Sequence, residues 1–147
     1  MMSNDQVLTI ERKFNASPEA VFDAWTDPNI LSQWWGPEGV SIPALGLDVK
    51  EGGTWTTTMY SDQMGNKIVS GSYTAIERPN RLVLTWAWTE EDGSRGHETE
   101  IEVLFEKSGD GTMMTMHQQK FNDATERDNH NMGWVSSFNC LEKTLAS

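Results

Sequence analysis

The chain has 147 residues, enough to bury a substantial core in one domain. Its formal charge of −11 excludes nucleic acid, whose phosphates select Lys and Arg, and disfavours an anionic membrane surface. Cys140 is the only cysteine, so an internal disulfide is excluded, and its place in the last helix reads as reduced packing.

The N-terminus has neither a basic n-region nor an apolar h-region, and no apolar run reaches the length of a membrane span. A cytoplasmic protein is the expectation. Val7–Phe14 then alternates as a strand, with Leu8, Ile10 and Phe14 on one face and Thr9, Glu11 and Lys13 on the other. Arg12 shares the apolar face. The expectation is that it snorkels outward at the strand end; the alternative is an inward turn toward an acidic group.

Ser17-Pro18-Glu19 carries a helix start: an N-cap, a proline at the first position and an acid in the first turn. Val21, Phe22 and Trp25 form its buried side. Asp27-Pro28 repeats the signal, Ile30, Leu31, Trp34 and Trp35 follow, and Gly36-Pro37 stops the second helix.

A strand meander comes next. Leu45, Leu47 and Val49 alternate with polar or small neighbours, and Gly52-Gly53 turns or bulges the chain. Trp55, Thr57 and Met59 share a face. Residues 61–66 form a loop, and 67–77 a strand in which Gly71 marks a bend or bulge. Arg78-Pro79-Asn80 turns into a strand with Leu82, Leu84, Trp86 and Trp88 on one face. An acidic loop (Glu90, Glu91, Asp92) leads to Thr99, Ile101, Val103 and Phe105, which alternate against Glu98, Glu100 and Glu102 on a solvated face. Gly109-Asp110-Gly111 makes the last hairpin, and 112–118 the last strand, with Met114 and Met116 opposite Thr115 and His117.

Residues 122–131 are too polar for a core helix and read as a loop or loosely held lid. Met132, Trp134, Val135, Phe138, Leu141 and Leu145 then fall at helical spacing on one stripe. A lone helix after many strands covers the apolar face of their sheet. The resulting fold class is α+β: strand, two short helices, six strands and a long helix, forming one curved antiparallel sheet around that helix.

Candidate chemistry is sparse. His97, His117 and His130 are far apart, and HxH, HExxH and CxxC patterns are missing, so no metal site is expected. GxSxG, P-loop and GxGxxG motifs are likewise missing, and no catalytic residue or cofactor is assigned. Arg12 and His117, with Glu100 and Asp48 behind them, are the nearest acid–base candidates. His97 and His117 sit on neighbouring strands as a solvent-facing pair.

Seven Trp and eight Met suit a cavity lining, and equally a core built from large residues. If the large faces point inward, Trp55, Met59, Tyr73, Trp86, Trp88, Met114, Met116, Trp134 and Phe138 line one space. Trp34 and Trp35 join them from the second helix, and 122–131 is its natural entrance.

These pieces resemble a known family. Residues 17–28, then Gln33-Trp34-Trp35-Gly36-Pro37, Gly52-Gly53 before a Trp strand, Arg78-Pro79-Asn80-Arg81-Leu82 and Gly133-Trp134 follow one another in the order of a START-like, or SRPBCC, domain. The chain is most similar to the branch containing the C-terminal domain of Aha-type chaperone ATPase activators. The resemblance implies a helix-grip fold over the single domain 1–147, with a deep cavity between sheet and terminal helix. Relatives use that cavity for hydrophobic ligands, polyketide cyclisation or aromatic-ring chemistry. The chain lacks room for the extra N-terminal domain of the activators, which argues against full co-chaperone activity. The resulting expectation is binding of a small hydrophobic or aromatic molecule. The alternatives are a polyketide cyclase or aromatase, or a module that contacts a chaperone. Whether the chain is an enzyme stays open, and a homodimer is a further partner class.

Overall fold

Local signals place the first helices. In the computed structural model, β1 (Val7–Phe14) leads into α1 (Pro18–Thr26) and α2 (Pro28–Trp34). The Ser17 hydroxyl accepts from the Ala20 N–H at 3.1 Å, and the Asp27 carboxylate from the Asn29 N–H at 2.9 Å, so each helix has the side-chain cap its sequence announced. The Trp34 indole donates to the Ala24 carbonyl at 2.9 Å and folds α2 back onto α1. The structure describes residues 7–146; residues 1–6 and 147, which belong to the expected single domain and its leaderless start, lie outside them.

The meander follows as β2 (Ser41–Leu47), β3 (Thr54–Ser61), β4 (Gly65–Glu77), β5 (Arg81–Trp88), β6 (Thr99–Ser108) and β7 (Gly111–Gln119), and α3 (Ala124–Ala146) closes the chain. The strands form one sheet in the order β1-β7-β6-β5-β4-β3-β2, every neighbour antiparallel. This is the expected α+β helix-grip architecture. Alternation is reproduced in burial: Leu82, Leu84 and Trp86, Ile101, Val103 and Phe105, and Met114 and Met116 all face inward.

The chain departs from expectation at four places. Gly71 is not the bulge; the register shifts between Tyr73 and Ala75. Gly71 instead pairs with Trp55 across β3 and β4, and a Cβ there would strike the Thr85 carbonyl and the Trp55 indole nitrogen. That indole crosses the bare glycine to donate to the Thr85 carbonyl at 3.2 Å. Arg12 does not simply snorkel: at the rim, not in the interior, its guanidinium lies 3.4 Å from the largely exposed Glu142 on α3 and 5.8 Å from the Phe14 ring centroid. The acidic face of β6 is also partly paired, with Glu102 accepting from Arg81 at 2.7 Å.

The fourth departure is α3 itself. Residues 124–131 are helical rather than loop, with the Asp123 carboxylate accepting from the Glu126 N–H at 2.9 Å as N-cap. Met132 and Val135, expected in the buried stripe, are 67% and 43% exposed. The residues α3 buries are Trp134, Ser137, Phe138 and Leu141.

Above the sheet, the indoles pack into one aromatic cluster. Trp25 contacts Trp34 at 5.0 Å, Trp35 at 5.9 Å and Trp134 at 5.7 Å between ring centroids. Trp35 reaches Trp55 at 5.9 Å and Trp86 at 5.5 Å, and Trp86 reaches Trp88 at 5.5 Å. Phe138 joins through Trp134 at 5.5 Å. The centre of the grip is therefore filled by the protein's own rings, held at separations where aromatic pairs attract beyond simple burial.

Candidate functional site

Where that cluster ends, a cleft of about 610 Å³ opens. One wall is the segment Trp35, Gly36 and Pro37 after α2, and a second is Met59 of β3 with Trp86 and Trp88 of β5. The third is the first half of α3 as far as Ser137, with Glu90 and His97 at the margin. Among the residues expected to line a pocket, Trp35, Met59, Trp86, Trp88 and Trp134 border this cleft. Trp34, Trp55, Tyr73, Met114, Met116 and Phe138 do not; they are buried in the hydrophobic core.

The walls are braced by hydrogen bonds to buried polar side chains. The Trp134 indole donates to the Gln118 carbonyl oxygen at 2.8 Å, the Gln118 amide donates to the Thr99 hydroxyl at 2.8 Å, and Thr99 donates to the Trp86 carbonyl at 3.3 Å. The Trp35 indole donates to the Thr57 hydroxyl at 3.0 Å. Gln118 is fully buried, so this chain fixes Trp134 at the cost of desolvating an amide.

Two indole N–H groups remain without a partner among the described residues, those of Trp25 and Trp86. Trp25 lies within the aromatic cluster. Trp86 is 5% exposed and borders the cleft. A buried donor left unsatisfied costs about 1–3 kcal/mol, and this nitrogen is closed off from the open cleft as well.

His130, weighed from the sequence only as a metal ligand, belongs to this wall. Its ring lies 5.1 Å from Phe121, 5.9 Å from Trp86 and 6.4 Å from Trp88, and it has no hydrogen-bond partner among the described residues. Burial pushes its pKa below the ordinary 6.5, with the nearby Glu126 charge pulling the other way. The imidazole is thus neutral at pH 7, one nitrogen a donor and the other an acceptor. Tyr73, by contrast, is pushed up to about 12 by burial and by Asp48, and its phenol stays protonated.

A signal for this wall existed. Asn122, Glu126, His130, Gly133 and Ser137 recur at helical spacing and all border the cleft, a polar stripe where an apolar one was sought. The expected acid–base candidates lie elsewhere. His117 bonds the Thr9 hydroxyl at 3.0 Å on the outer face of the sheet, and His97 bonds the Lys120 carbonyl, so the two do not pair. A shallower groove of about 750 Å³ on the outer face is bordered by Thr54, Thr56, Ser70 and Ser72, and Arg95 spans it to Ser70 and Glu98. Among the described residues, no group of three or more His, Cys, Asp or Glu is placed to hold a metal ion, and no helix is long and apolar enough to cross a membrane.

Comparison with known proteins adds the following. The family model described as activator of Hsp90 ATPase homolog 1-like protein, AHSA1, matches residues 15–146. No curated protein matches the chain. Among solved structures, the AHSA1 protein from Silicibacter pomeroyi is 32% identical, with a TM-score of 0.86 over 95% of this chain and 97% of that one. A protein from Chromobacterium violaceum is 22% identical, with a TM-score of 0.87 over 97% and 99% of the two chains. CalU16 from Micromonospora echinospora is 22% identical, with a TM-score of 0.72 over 95% of this chain and 75% of that one. The last two likenesses speak to the fold alone.

Proposed function

The chain belongs to the activator of Hsp90 ATPase homolog 1-like family, and from that premise we propose that it binds a small aromatic or hydrophobic molecule in the cleft beside the first half of α3. The observation that carries this reading is the cleft itself, about 610 Å³ of open space bordered by the indoles of Trp35, Trp86, Trp88 and Trp134. An apolar cleft with a few convergent polar groups is the usual form of a small-molecule site. Here the indoles of Trp86, Trp88 and Trp134 supply the apolar wall, and neutral His130 supplies the direction.

Calorimetric titration with (6-methoxy-2-naphthyl)methanol, a bicyclic ring bearing acceptor oxygens, tests the reading. Saturable binding and a raised melting temperature are expected. Trp88→Ala removes a half-buried indole from the wall, and the loss of its ring contact should weaken affinity by roughly 3- to 10-fold. Failure of neutral and charged bicyclic aromatics alike to bind or to shift melting would sink the proposal.

The second reading is an enzyme of the cyclase or aromatase type working in the same cleft. His130 favours it, as a neutral base without a hydrogen-bond partner against aromatic walls. Turnover of a polyketide-like substrate that is lost in His130→Gln and kept in His117→Gln would distinguish catalysis from passive binding. Contact with a chaperone ranks third and rests on the family description; stimulation of a chaperone ATPase by the purified chain is its test.

A further inference from the structure

The charges around the cleft all have one sign. Its borders include the carboxylates Glu90, Asp123 and Glu126, and neither Lys nor Arg is among the bordering residues. None of the three carboxylates is ion-paired among the described residues. Asp123 caps α3, and Glu126 accepts from the Asn122 amide at 3.4 Å. We propose that the cleft selects a cationic aromatic molecule, an aryl-alkyl amine of bicyclic size, over neutral or anionic counterparts of the same shape.

The opposing effect is the N-terminus of α3, which opens onto the cleft and by itself attracts anions. Its dipole is equivalent to roughly +0.5 of a charge and acts within the first turn. Asp123 and Glu126 occupy that turn, so three full negative charges outweigh half a positive one. Low-dielectric walls then focus the remaining negative potential into the opening. His130 does not reverse the sign, because burial keeps it neutral near pH 7.

The apolar wall favours the same ligand. The half-buried Trp88 ring on the cleft wall is electron-rich and attracts an ammonium placed over it, with a contribution of about 0.5–2 kcal/mol. His130, on the cleft wall and without a hydrogen-bond partner among the described residues, adds the second requirement, an acceptor at the ring end of the ligand for its N–H donor. A fatty acid or aromatic carboxylate would satisfy that donor while bringing its charge against Glu90 or Glu126. An aryl-alkyl amine with a ring oxygen meets both requirements at once.

This inference rests on the binding reading above, and one matched series separates them. (6-Methoxy-2-naphthyl)methylamine, the corresponding alcohol and 6-methoxy-2-naphthoate share one ring system, carry positive, no and negative charge on the 2-substituent, and are titrated calorimetrically at pH 7 in low salt. The amine should bind at least about 10-fold tighter than the alcohol, and the carboxylate weakest, consistent with partly screened carboxylates a few ångströms from the ligand. In Glu90→Gln/Glu126→Gln the ratio of amine to alcohol should fall toward one. Raising salt on the unaltered protein should compress the same ratio, because the charges sit at an open rim. Equal binding of amine and alcohol, tightest binding of the carboxylate, or a ratio untouched by both the double substitution and salt would overturn the charge inference while leaving the binding reading standing. No binding by any of the three would overturn both.

Discussion

From Trp134 onward α3 buries Trp134, Ser137, Phe138 and Leu141, whereas the turns before it bury no residue to that degree and border the cleft instead. The same helix, with one period throughout, is core at one end and wall at the other. The opposing surface makes the difference. The second half meets the indoles of Trp25, Trp34 and Trp35, which fill the grip. The first half meets open volume between Pro37 and Trp88. A polar stripe at helical spacing therefore signals the absence of a packed partner rather than the absence of a helix.

The most direct way to break this contrast is to cut both halves. Phe138→Ala should cost about 3–5 kcal/mol, read from urea unfolding, because it opens a cavity where collapse is blocked by rigid rings. His130→Ala, on the cleft half, should cost no more than about 1 kcal/mol, since one side of the ring faces open space. Comparable losses for the two substitutions would mean that the first half is core after all.

The bracing between the halves should come next in size. Gln118→Leu leaves the Trp134 N–H unpartnered and removes the donor to Thr99, so a loss of about 1–3 kcal/mol is expected, with a weakened near-ultraviolet signal from the indoles. An unchanged midpoint and spectrum would show that the Gln118 chain does not position the wall.

A smaller effect sharpens the picture of the cleft. Because the folded state holds the His130 pKa below its unfolded value of 6.5, the unfolded chain binds the proton more readily. His130 therefore exacts no penalty above pH 6.5, and stability falls as pH drops from there through the lower folded value. Glu90, His97, Asp123 and Glu126 border the same cleft, so the quantity to measure is the difference between the native chain and His130→Phe across pH 5 to 7.5. The variant should lose the His130 part of the slope; parallel curves would contradict a buried neutral imidazole.

Smallest of all is the ion pair at the far end of α3. Arg12→Ala should cost less than about 1 kcal/mol, since Glu142 is largely exposed and the pair is screened. Adding salt to the native chain should erase most of that difference.

Much of the fold was legible in the chain. Leu82 to Trp88 and Thr99 to Phe105 alternate cleanly, and Ser17-Pro18 and Asp27-Pro28 cap their helices as written, because strand period and capping are interactions between near neighbours. The family resemblance, which spans these same pieces, led to the correct family. Six of the eleven expected lining residues lie in the core and away from this cleft, for a different reason. Alternation tells which face Tyr73, Met114 or Met116 points to, but not how much volume lies above it. Gly71 was misread in the same way, since the indole that crosses it comes from another strand.

The sequence by itself determined the element order, the antiparallel sheet, the inward faces and the helix that covers them, since each follows from patterns a few residues long. Only the tertiary structure decided that the centre of the grip is packed with indoles and that the open space lies at one end, against a polar stretch of helix. Empty volume is a difference between the space enclosed by the backbone and the side chains contributed by many separate elements. No local pattern along the chain records that difference.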